Sequence, residues 1–143
     1  MSTVTGRCLC GAVTLSFEPA GDLTACHCDI CRRWTGAMFL EVPVKPGTMR
    51  YDGPVKTYAS SDWAERAWCD RCGTTLWFHL TLDGTDDYAV AAGALDDQSS
   101  LKLSREDFYD RKPEGYAFAG DHRKVTAAEN TAAFEKHFGG LLP

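Results

Sequence analysis

Nowhere does the 143-residue chain sustain an apolar run near the about 18 residues of a membrane span, which argues against a helical membrane anchor. Basic charge is also in short supply: 15 Lys and Arg stand against 20 Asp and Glu, a net charge of −5, and the basic residues are scattered rather than blocked. The electrostatic footprint of a duplex-binding protein is therefore missing, and nucleic acid is not an expected partner. The opening residues MSTVTGRCLCGA lack the charged-then-apolar layout of a signal peptide, so the expected location is the cytoplasm. No repeat, low-complexity tract or linker interrupts the sequence. One domain over residues 1–143, large enough to bury a core unaided, is the expectation.

Cysteine is what the chain does have. Seven is an odd count, and in a reducing compartment thiols stay free, so metal ligands are expected rather than disulfides. The cysteines form three clusters: Cys8-Leu-Cys10-Gly11, Cys26-His-Cys28-Asp-Ile-Cys31 and Cys69-Asp-Arg-Cys72-Gly73.

Around them the sequence reads as short strands. Segments over 12–17, 37–44, 55–60 and 75–80 are β-rich or alternating, and EPAGD, KPGT, YDGP and DGTDD break them. The segment YAVAAGAL (88–95) predicts another strand, whereas 102–120 holds too many turn residues to assign. This rhythm predicts a mainly antiparallel β body. At the C-terminus Thr126 and Glu129 form the capping-box pattern and Gly139 and Gly140 supply a stop, predicting one helix over 126–138. Ala128, Ala132 and Phe138 make no broad apolar stripe, so that helix is expected to pack lightly.

Two thiolates a short step apart and followed by glycine have the shape of a zinc knuckle, in which glycine takes the left-handed position of the turn. Cys8/Cys10 and Cys69/Cys72 both fit, and together they fill a tetrahedron with no open position, as a structural zinc requires. Cys26, Cys28 and Cys31, expected on one short loop, then cap one face of a second tetrahedron and leave its fourth position for water or substrate, the layout of a catalytic zinc. Three thiolates give that ion a net charge of −1, which suits a soft thiol guest better than an activated water.

Other uses of these residues compete. Free cysteine packs as a small hydrophobe, but three clusters make seven fillers implausible. His27 or His79 could close the second site; His27, between two ligands, is expected to point away, and His79 reads as a strand-end histidine. A thioredoxin-like Cys28–Cys31 or Cys69–Cys72 pair requires a helix in a βαβ unit, which the sequence does not display. Iron is chemically admissible at thiolates, although knuckle spacing favours zinc.

The runs GRCLCGAV (6–13), CHCDICRRWTG (26–36) and WCDRCGTTLW (68–77), in this order, resemble the glutathione-dependent formaldehyde-activating enzyme family, whose relatives include centromere protein V. The resemblance covers about residues 5–120. It implies a tent of coiled antiparallel β-sheets related to zinc ribbons. It also implies two zinc ions per chain: a structural one on Cys8, Cys10, Cys69 and Cys72, and a catalytic one on Cys26, Cys28 and Cys31. The implied activity is that of a carbon–sulfur lyase joining formaldehyde and glutathione into S-hydroxymethylglutathione and running the reverse cleavage. Many members carry a histidine after the last motif, where this chain reads REDFYDRKPEGYAF with Glu106 or Asp107 at that place.

Arg32 and Arg33 directly follow the last ligand of the second cluster, and the guanidinium fork suits the carboxylates of glutathione. Trp34 could wall a pocket or serve the core; Phe39, Trp63, Trp68, Trp77 and Phe78 could line the same pocket, but at alternating strand positions they are expected in the core. Asp29 is a candidate to orient a ligand, and no general base stands out. Thiols add to aldehydes without a catalyst, so a glutathione carrier or a zinc-stabilised interaction module are the alternatives to an enzyme.

Overall fold

Short β-branched and aromatic segments pair into two sheets in the computed structural model, which describes residues 2–143. In chain order the first strands are β1 (Val4–Arg7), β2 (Thr14–Phe17), β3 (Leu23–Cys26), β4 (Phe39–Pro43), β5 (Arg50–Asp52) and β6 (Val55–Ser61). They are followed by β7 (Ala64–Cys69), β8 (Thr75–Leu80), β9 (Tyr88–Ala91), β10 (Leu103–Asp107) and β11 (Arg123–Lys124). Helix α1 (Asp29–Thr35) lies between β3 and β4, and α2 (Ala127–Phe138) follows β11. No helix among the described residues is long and apolar enough to cross a membrane.

The small sheet has the order β1-β2-β5, and the large one runs β11-β10-β3-β4-β9-β8-β7-β6. Strand alternation divides the large sheet into two faces with different jobs. Val42, Val90, Trp77 and Ala67 stand in one cross-strand row and pack with Leu15 and Phe17 of the small sheet into the main core. Tyr51 of β5 lies on the Trp77 ring at 4.8 Å between centroids, closing that core from the small sheet's side. On the opposite face Phe39, Ala89, Ala91 and Phe78 form a second apolar cluster, and it is here that Cys26, Cys28, Cys31 and Trp34 pack.

The architecture is mainly β with a short C-terminal helix, as the sequence predicts, and its cysteine clusters sit in a zinc-ribbon-like arrangement. Thr126 caps α2 with Glu129 in a full capping box, and the helix buries no residue completely; Phe134 reaches Trp63 at 4.7 Å. Three details differ from the sequence reading. β10 pairs in parallel with both β3 and β11, so the large sheet is mixed rather than wholly antiparallel. β9 stops at Ala91, where Ala-Gly-Ala, poor in β-branched side chains, turns as a short 3-10 helix. Finally, Cys28 and Cys31 do not lie on a plain loop: Cys28 is the N-cap of α1, its sulfur accepting from the Cys31 amide at 3.3 Å. A helix does open at this Cys-x-x-Cys, but β3 and β4 flanking it are antiparallel neighbours, so no βαβ crossover exists.

Candidate metal centres and the adjoining cavity

Gly11 and Gly73 shape the first centre. Both hold left-handed backbone, with φ of 79° and 75°, which lets the chain fold back on the preceding cysteine. The Gly11 amide donates to the Cys8 carbonyl at 3.1 Å and the Gly73 amide to the Cys69 carbonyl at 2.8 Å. The Cys8 amide then pairs with the Val13 carbonyl and the Cys69 amide with the Thr74 carbonyl, each at 3.0 Å, so the two knuckles are built alike. They bring the sulfurs of Cys8, Cys10, Cys69 and Cys72 within 4.8 Å of one another. Cys8 and Cys10 are 3.6 Å apart and Cys10 and Cys69 3.8 Å. Bonds of about 2.3 Å from zinc to sulfur give a tetrahedron with edges of about 3.8 Å, so the donor set fits the ion the sequence implies. The Val13 amide donates to the Cys8 sulfur at 3.2 Å, and the hydroxyl and amide of Thr74 hold the Cys72 thiol down at about 5.

The second centre stands on the other face of the large sheet. Cys26 ends β3, Cys28 caps α1 and Cys31 lies within it, and their three sulfurs also fall within 4.8 Å of one another. The thiols of Cys26 and Cys31 hydrogen-bond to Cys28 and pull it down to about 2, while Cys26 is pushed well up in return. This competition for one negative charge is what a divalent cation would relieve, since thiolates are the ligand form.

The sequence does not single out Arg66, yet it completes this centre. Arg66 is 6 % exposed, and its Nη1 donates to the Cys31 sulfur at 3.3 Å. Trp34 and Phe78 hold the cation over their rings at 5.0 and 5.1 Å. A buried positive charge needs an anionic partner, and the thiol set supplies it. The only signal in the sequence is a lone arginine in the short segment AERAWC.

A cavity of about 480 Å³ opens beside this centre between α1 and strands β6 and β7, lined by Ile30, Arg33, Trp34, Tyr58, Arg66 and Trp68 among others. The two arginines after the ligand motif part company here. Arg33 is exposed and lines the cavity, whereas Arg32 is turned back, Nε donating to the His27 carbonyl at 2.9 Å and Nη2 to Asp29 Oδ1 at 2.5 Å. Asp29 thus orients Arg32 rather than a ligand. Phe39 and Trp77 are core residues as expected, while Trp68 faces the cavity.

Neither histidine weighed as a fourth ligand joins the three sulfurs. His27 is fully buried with Nε2 2.8 Å from Glu106 Oε1, and the other oxygen of Glu106 meets His122 Nε2 at 2.5 Å. His79 stacks on Tyr88 at 4.0 Å and pairs with Glu65 at 3.1 Å. Glu106 therefore bridges two histidines whose side chains are both buried.

Glu41 is a further residue that the sequence did not flag. Register places it opposite Thr24 of β3 and Ala91 of β9, on the cysteine-bearing face. Burial and the nearby negative charge of Asp107 raise its carboxyl to about 8, with Arg66 and Arg105 opposing and Cys28 adding slightly. An acid raised on folding makes stability fall as pH climbs from its ordinary value toward the folded one. Glu41→Gln is expected to flatten that slope in thermal melts between about pH 5 and pH 8, the window its raised value defines.

A mixed β-fold holding one four-cysteine knuckle pair and one three-cysteine set on opposite faces defines a class of cysteine-clustered, zinc-ribbon-like proteins. Within it, the chain belongs to the glutathione-dependent formaldehyde-activating enzyme family, which it matches over residues 3–111. It is 35% identical over 129 residues to an uncharacterized lyase of Schizosaccharomyces pombe, covering 87% of this chain and 91% of that protein. Its fold is similar to that of a Rhodobacter sphaeroides protein solved by crystallography, with a TM-score of 0.55 and 20% identity, over 84% of this chain and 98% of the other.

Proposed function

We propose that the chain is a zinc-dependent carbon–sulfur lyase that forms and cleaves adducts of glutathione with formaldehyde or a related aldehyde. Family membership and the lyase name of the yeast relative support the reaction class. The observation that carries the reading is the three-sulfur set, with Arg66 on Cys31 and a cavity beside it.

Cys8, Cys10, Cys69 and Cys72 would hold a structural zinc, and Cys26, Cys28 and Cys31 a second, catalytic one. A zinc ion there supplies a soft acceptor that favours a thiol in its thiolate form. Arg66 offsets the surplus negative charge of three cysteine thiolates. In the forward direction the thiol sulfur bonds to the carbonyl carbon, the C=O π pair moves to oxygen, and the proton released by the thiol ends on that oxygen; cleavage is the reverse. Because the uncatalysed addition is easy, most of the gain comes from holding the partners together. Arg33 binds a glutathione carboxylate at the cavity, Arg32 fixes the ligand turn through Asp29 and would have to leave that pairing to take a second carboxylate, and Trp34 walls the space.

Native mass spectrometry of the full chain is expected to count two zinc ions and a glutathione adduct that depends on the second. Formation of S-hydroxymethylglutathione should exceed the spontaneous rate, and Arg33→Gln should raise KM about tenfold, the loss of one charge-assisted hydrogen bond. Two zinc ions and bound glutathione without acceleration would mark a carrier. One zinc indifferent to glutathione would mark an interaction module.

A further inference from the structure

The cavity beside the three-cysteine centre is far larger than formaldehyde needs. Formaldehyde is little bigger than a water molecule, whose share of liquid volume is about 30 Å³, whereas the cavity measures about 480 Å³. A space of about 150 Å³ already accepts benzene. Its walls are chemically lopsided as well: Trp34, Trp68, Tyr58 and Ile30 contribute three aromatic rings and an aliphatic branch, while Arg33 and Arg66 bring positive charge and Asp29, paired with Arg32, the one carboxylate. Glutathione, a tripeptide with two carboxylates and an ammonium group, can use the cations but has no apolar body to lay against three aromatic rings.

The exposure of the outer wall is hard to explain by folding. Tyr58 is 67% exposed and Ile30 is 40% exposed, so neither is placed there to fill the core. Trp34 belongs to the same apolar cluster as Cys26, Cys28 and Cys31, and Arg66 both lines the cavity and donates to Cys31, so the aromatic space adjoins the sulfur centre, with Trp34 and Arg66 as the shared wall.

We infer that the carbonyl partner handled at this centre is a larger aldehyde with an aromatic or similarly planar apolar body, seated among Trp34, Trp68, Tyr58 and Ile30. The inference rests on the glutathione reading for its thiol half only; the aromatic subsite stands on the cavity itself. The chemistry is unchanged: one C–S bond forms, the C=O π bond opens, and the thiol proton passes to the oxygen, with no oxidant or reductant required.

The test is calorimetric titration of the zinc-loaded full chain with S-methylglutathione and with S-benzylglutathione, and separately with benzaldehyde followed by tryptophan fluorescence. S-benzylglutathione is expected to bind at least about tenfold more tightly, a difference of about 1.4 kcal/mol. Tyr58→Ala and Ile30→Ala, both at exposed positions that tolerate truncation, should close most of that gap. Equal affinity for the two thioethers overturns the inference, whatever benzaldehyde does. If neither thioether binds but benzaldehyde does, in a manner weakened by Tyr58→Ala, the aromatic subsite holds and the glutathione reading fails. If neither thioether nor benzaldehyde binds, both fall.

Discussion

Cys69→Ala is expected to leave no cooperatively folded protein, whereas Cys26→Ala is expected to melt within a few degrees of the parent chain. The two cysteines belong to clusters of similar chemistry, but they occupy different mechanical positions. Cys8 and Cys69 are 2% and 0% exposed and sit inside the main core, between the three-stranded and the eight-stranded sheet. Their knuckles join β1 to the β7–β8 hairpin, sequence segments some sixty residues apart, so a cation held there closes a long loop. Structural zinc sites contribute on the order of 10–16 kcal/mol in small domains, against a total stability of about 5–15 kcal/mol, so losing one of four ligands removes enough to unfold the chain. The second cluster is local, spanning Cys26 to Cys31 across the start of one short helix, and β3 and β4 remain paired without it. Chelation followed by circular dichroism and metal counting should accordingly show two stages. The first cation leaves with near-native spectra, and the second leaves together with the fold. Release of the four-cysteine metal with an unchanged melting temperature would contradict this assignment.

The unequal legibility of the two faces follows from the same geometry. The knuckles can be read from sequence because glycine, spacing and thiolate chemistry are all local, and Gly11 and Gly73 do adopt the left-handed backbone the spacing demands. Strands β2, β4, β6 and β8 are legible from their alternation. β3 and β7 are not, because LTAC is four residues long and AERAWC carries a buried arginine where alternation asks for an apolar side chain. α1 escapes for a related reason: seven residues cannot display a 3.6-residue period, and its cap is a cysteine sulfur rather than Ser, Thr, Asp or Asn. The parallel pairing of β10 with β3 joins segments about eighty residues apart, which no local signal announces. It is this pairing that brings Glu106 to His27. Arg32 and Arg33 illustrate the limit at a single position: neighbours in sequence, they diverge because successive residues on a helix point about 100° apart.

Glu106→Ala is expected to lower stability by about 3–5 kcal/mol and to weaken metal binding at the three-cysteine centre before that at the four-cysteine centre. Glu106 is 1% exposed and links two buried imidazoles, His27 on one oxygen at 2.8 Å and His122 on the other at 2.5 Å. Truncation leaves a cavity and two buried ring nitrogens without their acceptor, and breaking a buried charged network from one side typically costs this much. At about 3 °C per kcal/mol for a chain of this size, melting should fall by about 10–15 °C. The effect is directed at the second centre because His27 stands between Cys26 and Cys28, so the carboxylate that holds its ring also holds the turn that aims both sulfurs. Glu106→Gln separates the two contributions. It preserves shape and one acceptor but offers an N–H₂ where the other imidazole donates, so one histidine must change tautomer, at a cost nearer 1–2 kcal/mol. Zinc counts by native mass spectrometry on the folded variants provide the readout that a purely structural role would leave alone. The pH dependence has a definite sign. Burial alone would raise the Glu106 carboxyl, but hydrogen bonds from His122 and His27 outweigh it and hold the group below its ordinary value. A carboxyl depressed on folding contributes stability that is present above its ordinary value and lost as pH falls toward the depressed one. The parent chain should therefore lose stability on acidification below about pH 4.3 more steeply than Glu106→Gln, and identical acid limbs for the two would remove the bridge from this account.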